Sequence, residues 1–157
     1  MRLYHGTNVD FDRIDLAKSN RFKDFGQGFY LTAIEQQAVE LSRKRCVRDG
    51  GTPIVQEYEF DEKTLDDSSM RVLCFDSPTT EWAEFIYQNR NRKTPIYHHD
   101  YDIVIGPIAD DGVAYLLNRY EEGSYTIEEL ARELKYKKLN NQYFFGTEAA
   151  IKLLKRI

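Results

Sequence analysis

The sequence predicts an α+β fold in one domain spanning residues 1–157, and three observations carry that expectation. The segment "PIVQEYEF" alternates Ile54, Gln56, Tyr58 and Phe60 against Val55, Glu57 and Glu59, which is the period of a strand in a sheet with one solvated face. Helix-start signals recur between further strand-like segments, without the strict strand-helix-strand rhythm of a parallel α/β sheet. Nucleotide-binding fingerprints of the α/β classes are also missing. The "GQG" of "DFGQGFY" lacks the third glycine of the dinucleotide motif, and no GxxxxGK[ST] occurs.

Taken in order, "RLYH" and "GFYLT" read as the first two strands. Thr32 stands three residues before Glu35, a capping-box spacing, and predicts a helix with Ile34, Ala38 and Leu41 on one face, ending at Gly50 and Gly51. "PIVQEYEF" and "RVLCF" follow as strands. Ser77 and Pro78 suit the N-cap and first turn of "TTEWAEFIYQNR", in which Trp82, Phe85 and Ile86 share a stripe. After the strand "YDIVIG", Asp110 and Asp111 precede an amphipathic helix with Val113, Leu116, Leu117 and Tyr120. Thr126 and Glu129 repeat the capping box ahead of Ile127, Leu130, Ala131 and Leu134. The strand "QYFF" comes last, and Thr147 caps a closing helix that turns Ile151 and Leu154 inward.

Composition narrows the function classes. Eleven tyrosines and nine phenylalanines argue for a packed core and against disorder. Cys46 and Cys74 have no metal-ligand spacing and read as buried free thiols. No apolar run suits a secretory signal or a membrane span, so a cytoplasmic location with no membrane partner is expected. The net charge of -4 is uneven, because residues 51 to 89 hold nine acidic groups against two basic ones. The basic runs "RKRCVR" and "RNRK" are solvated helix faces in the simpler reading and phosphate contacts in the other. The "HHD" at 98 to 100 lacks a third ligand at a usable spacing, so no metal is expected.

Candidate chemistry begins at "LYHGT". A histidine closing a short strand, followed directly by Gly6, lets a flat ligand approach the backbone while the imidazole and the Thr7 hydroxyl offer hydrogen bonds; a structural turn histidine is the alternative. Tyr30 in "GFYLT" is core or ligand wall. "HGT" on a first strand and "GxGFYLT" about 25 residues later together resemble the ADP-ribosyltransferase superfamily, in its diphtheria-toxin and poly(ADP-ribose)-polymerase branch with a His-Tyr-Glu triad. With "YDIVIGPIADD" and "QYFFGTEAAIKLL", the resemblance covers most of the chain and is similar to bacterial ADP-ribosyltransferase-like domains encoded in toxin-antitoxin or phage-defence loci.

That resemblance implies a split β-sheet core with peripheral helices and NAD as co-substrate. It implies that His5 bonds a ribose hydroxyl, that Gly6 and Thr7 line the nicotinamide side, and that Tyr30 stacks on the nicotinamide ring. Gln142 falls at the position of the triad glutamate, a departure from the family pattern; Glu148 lies close in sequence but beyond the Thr147 cap. Gln142 grips a hydroxyl but is no carboxylate base. Transfer of one ADP-ribose, use of another carboxylate, or NAD binding without turnover are all compatible with this residue. Asp110 and Asp111 are either helix caps or acceptor-orienting groups. The implied partners are a macromolecular acceptor, nucleic acid or protein, and an antitoxin protein.

Overall fold

The computed structural model describes residues 1–93, 95–109, 112–134 and 140–157. Its strands are β1 (Arg2–Thr7), β2 (Phe29–Thr32), β3 (Ile54–Glu59), β4 (Val72–Cys74), β5 (Ile103–Pro107), β6 (Asn141–Phe145) and β7 (Lys155–Arg156). The α-helices are α1 (Glu35–Asp49), α2 (Thr80–Arg90), α3 (Val113–Glu121), α4 (Ile127–Leu134) and α5 (Glu148–Ile151). The fold is therefore α+β. The strands form one sheet in the order β4-β5-β6-β2-β1-β3-β7, with β4 and β5 parallel and every other neighbour antiparallel.

Strand alternation separates two cores. Val104 and Phe144 face helices α2, α3 and α4, whose Trp82, Ile86, Leu117, Leu130 and Leu134 close over them. On the other face Leu3, Phe29, Leu31, Tyr58, Phe60 and Phe145 gather under the loop bearing Phe11 and Ile14 and under the C-terminal Ala150 and Leu154. The alternation in β3 holds, since Gln56, Tyr58 and Phe60 are buried and Glu59 is exposed.

β1 pairs with β3 over six residues from Arg2↔Glu59 to Thr7↔Ile54, but with β2 only at Tyr4↔Thr32. The sheet is thus nearly parted between β1 and β2. Helix α1 spans the β1 side of this seam at Gly6, where a Cβ would lie 2.1 Å from the Ala38 carbonyl oxygen. Backbone against backbone leaves no room for large side chains, so α1 seats Ala38 and Ser42, while Ile34 and Leu41, expected to face inward, are 41% and 43% exposed.

Several local expectations are corrected. Thr32 does not cap α1 through a capping box: its hydroxyl donates to the Gln37 side-chain oxygen at 2.6 Å and accepts from Ile34 N at 3.1 Å, because Thr32 still belongs to β2. Thr79, not Ser77, caps α2 by accepting from Trp82 N. Helix α5 stops at Ile151, and the chain continues into β7, where Lys155 and Arg156 pair with Glu59 and Tyr58. Neither cysteine is buried: Cys46 is half-buried on α1 and Cys74 is exposed on the edge strand β4. The Thr126–Glu129 capping box is present in both directions, at 2.9 and 3.1 Å, and Thr147 caps α5 at 3.2 Å. No helix among the described residues is long and apolar enough to cross a membrane.

The contact at Gly6 sets the first prediction. Gly6→Ala should destabilise the fold by about 2 kcal/mol or more, because neither backbone is free to retreat. Urea unfolding reads this, and an unchanged midpoint would show that α1 is not seated on β1.

Candidate active site

His5, Tyr30 and Gln142 stand on β1, β2 and β6, three neighbouring strands of the sheet. Their side chains do not share one face. Thr32 pairs with both Tyr4 and Gln142, so Tyr30, Gln142 and Phe144 point to the side of α2, and His5 and Thr7 point to the opposite side.

His5 is 7% exposed and packs on Phe29 at 4.4 Å between ring centroids, with Phe11 edge-on at 5.9 Å. Its Nδ1 lies 2.7 Å from the Tyr30 carbonyl oxygen. A carbonyl only accepts, so Nδ1 carries the proton and Nε2 of the neutral ring presents a lone pair. Burial lowers the pKa from 6.5 to about 4, against the raising effect of that bond, with Arg45 and Lys23 lowering it further. Thr7 is spent on its own turn, donating to the Val9 carbonyl at 3.0 Å and accepting from Val9 N at 3.3 Å.

The Tyr30 hydroxyl donates to the Gly26 carbonyl at 2.6 Å and accepts from Phe25 N at 3.1 Å, which pins the turn before β2. Burial, then the Asp24 charge, raises its pKa well above 10.0, so it stays a phenol. The ring meets Phe144 edge-on at 5.2 Å, and the Lys23 ammonium lies 4.8 Å from its centroid. Burial and the neighbouring Arg45 pull Lys23 down to about 8. The glycines of "GQG" answer to the protein's own side chains: Gly26 has φ 91° and faces Asn89, and a Cβ on Gly28 would fall 2.2 Å from Phe144.

Gln142 donates from Nε2 to Asp24 Oδ2 at 2.9 Å, and Arg90 grips the other Asp24 oxygen at 2.6 Å. Asp24 is 7% exposed and is the buried carboxylate beside Gln142. Glu148 is exposed beyond the other end of β6, and Asp110 and Asp111 lie outside the described residues. Lys23 and Asp24 are therefore neighbours of the candidate site that sequence reasoning missed, whereas Arg45 and Arg90 belong to the basic runs it singled out without placing them beside Tyr30 and Gln142. Lys23 and Asp24 sit in a loop, where no periodicity assigns a face. Arg90 belongs to "RNRK", a run that is internally engaged: Arg92 covers the Phe22 ring and Lys93 pairs with Glu121 at 2.6 Å.

The fold is mixed α+β, and the candidate site is a polar cluster with an excess of positive charge beside a sheet seam. The chain belongs to the family described as protein of unknown function (DUF3990), whose model matches residues 1–156. No curated protein and no solved structure gives a significant match.

Two predictions follow from the buried groups. The unfolded chain takes up a proton at His5 from about pH 6.5, whereas the folded state resists until about pH 4. The stability from burying this neutral ring is thus complete above pH 6.5 and lost as pH falls to 4, a change on the order of 3 kcal/mol. His5→Asn, which keeps a donor for the Tyr30 carbonyl, should flatten this part of the pH–stability curve; an identical slope in the variant contradicts the assignment. Gln142→Glu sets a carboxylate against Asp24 and should cost on the order of 2 kcal/mol at pH 7.5, partly regained at pH 4.5 when the new acid protonates. Equal loss at both pH values would mean that the network is not electrostatic.

Proposed function

We propose that the protein is an NAD-dependent mono-ADP-ribosyltransferase, a bacterial effector of the toxin or phage-defence kind that works in the cytoplasm and is restrained by an antitoxin protein. The reading rests on the "HGT", "GxGFYLT" and "QYFF" segments, and one structural observation supports it most. The three motif residues stand on consecutive strands beside a seam held by a single register pair.

In this reading, His5, on the opposite face of the sheet from Tyr30 and Gln142, holds the Tyr30 strand through Nδ1, and its Nε2 accepts from a ribose hydroxyl where NAD reaches through the β1–β2 seam. The Tyr30 ring is the platform for nicotinamide once the Lys23 ammonium swings off it, and Lys23 with Arg45 then offers positive charge to the diphosphate. Gln142, whose amide donates to Asp24, keeps its carbonyl oxygen for a second ribose hydroxyl. The acceptor nucleophile bonds to C1 of the nicotinamide ribose, the C–N bond breaks with its electron pair leaving on nicotinamide, and the acceptor's proton passes to water. The acceptor is nucleic acid or protein. Positioning and charge carry the rate, since Gln142 supplies no base.

A second reading, NAD or ADP-ribose binding without turnover, is favoured by one feature: the carboxylate beside Gln142 is already engaged by Arg90. Purified protein incubated with NAD labelled in the ADP-ribose half and a cell lysate tests the first reading. Label should enter a macromolecule with release of nicotinamide, and Tyr30→Leu should reduce both at least ~10-fold while the fold is retained. Calorimetric NAD binding with no nicotinamide release supports the binding module instead, and no binding with no release rejects both.

A further inference from the structure

On the far side of the 24–27 turn from Tyr30 lies a cavity of about 260 Å³, close to the lower end of the ~300–1,000 Å³ typical of ligand pockets. It is too small for a folded protein segment but takes one nucleobase with its sugar. Tyr97, Tyr101 and Phe144 supply aromatic walls and the exposed Arg21 supplies positive charge, while Arg71 is paired with Asp100, which also lines the cavity, at 3.6 Å and with Asp102 at 3.9 Å. Asn89 also lines the cavity and is 5% exposed. Its Nδ2 donates to the Phe85 carbonyl at 2.8 Å, and its Oδ1 makes no hydrogen bond among the described residues. That oxygen is aimed at Gly26, where a Cβ would stand only 3.0 Å away. A buried amide with an uncommitted acceptor, facing a cavity with aromatic walls, is a donor–acceptor edge suited to a base.

We propose that this cavity binds an unpaired nucleobase of single-stranded nucleic acid, stacked on the tyrosine walls, read by Asn89, and held through its phosphate by Arg21. The wall between the cavity and Tyr30 is one turn braced from both sides. His99 Nε2 lies 2.7 Å from the Phe25 carbonyl, and the Tyr30 hydroxyl bonds the Gly26 carbonyl at 2.6 Å. As an acceptor-anchoring site the cavity rests on the transferase reading, with the bound base neighbouring the one that reacts. As a nucleic-acid site it stands by itself.

The test is binding without NAD. Fluorescence anisotropy of labelled single-stranded DNA and RNA about 12 nucleotides long should show saturable binding that weakens with salt. Tyr97→Leu, which keeps apolar bulk but removes the phenol platform, should weaken it about tenfold. Arg21→Ala, at an exposed position, should lower the salt slope by about one. Lys152→Ala, an exposed cation that does not line the cavity, should change neither. Absence of oligonucleotide binding, or equal binding by the wild type and the Tyr97 and Arg21 variants, overturns the proposal, as does labelling confined to protein when nothing binds the oligonucleotide. Such a failure leaves nicotinamide release from NAD untouched, and failure of that release leaves the oligonucleotide result standing.

Discussion

A strand that parts from its neighbour leaves peptide groups that a side chain or water must satisfy. At the β1–β2 seam that side chain is His5, whose Nδ1–H donates to the Tyr30 carbonyl one strand away. The bond would hold an imidazolium as well, and it is burial against Phe29 and Phe11 that keeps the ring neutral. Tyr30 in turn fixes the preceding turn with its hydroxyl, and that turn carries Asp24 to Gln142 and Arg90. Much of the candidate site therefore hangs on one imidazole hydrogen bond. In the proposed reading the seam is where the ligand enters, because ladder hydrogen bonds are replaced there by a side-chain bond.

Legibility in the sequence followed periodicity. β3 declares itself by alternation and the stripe of α2 by helical spacing, and Gln56, Tyr58, Trp82, Phe85 and Ile86 are buried as those patterns require; β4, read from its apolar residues alone, has no buried position. The face of α1 does not declare itself, because its seat is a glycine-to-alanine backbone contact, invisible to a rule that looks for large apolar residues. β7 is two residues long, too short for any period. The three motif residues were singled out through their order along the chain, but the loop residues they touch were not. Asp24 precedes Phe25 in a loop and meets Arg90 from a helix end 66 positions later, a pairing that no local pattern encodes.

The glutamine on β6 acquires a physical reason from that pairing. A glutamate at this position would place a second carboxylate about 3 Å from Asp24, and two like charges in a partly buried site cannot both ionise without a large penalty. The chain resolves the conflict by moving the negative charge to the loop and leaving an amide on the strand. Gln142 then does what a carboxylate could not do here: it donates to Asp24 with one end and keeps an acceptor oxygen with the other. Arg90 neutralises Asp24, so the remaining local field is set by Lys23 and Arg45, which is positive although the chain as a whole carries -4. An anionic ligand is what such a field favours. In the proposed transferase reading, a positively charged ribosyl centre formed beside Gln142 gains less from this site than from one with a free carboxylate, so the rate there draws on positioning more than on charge.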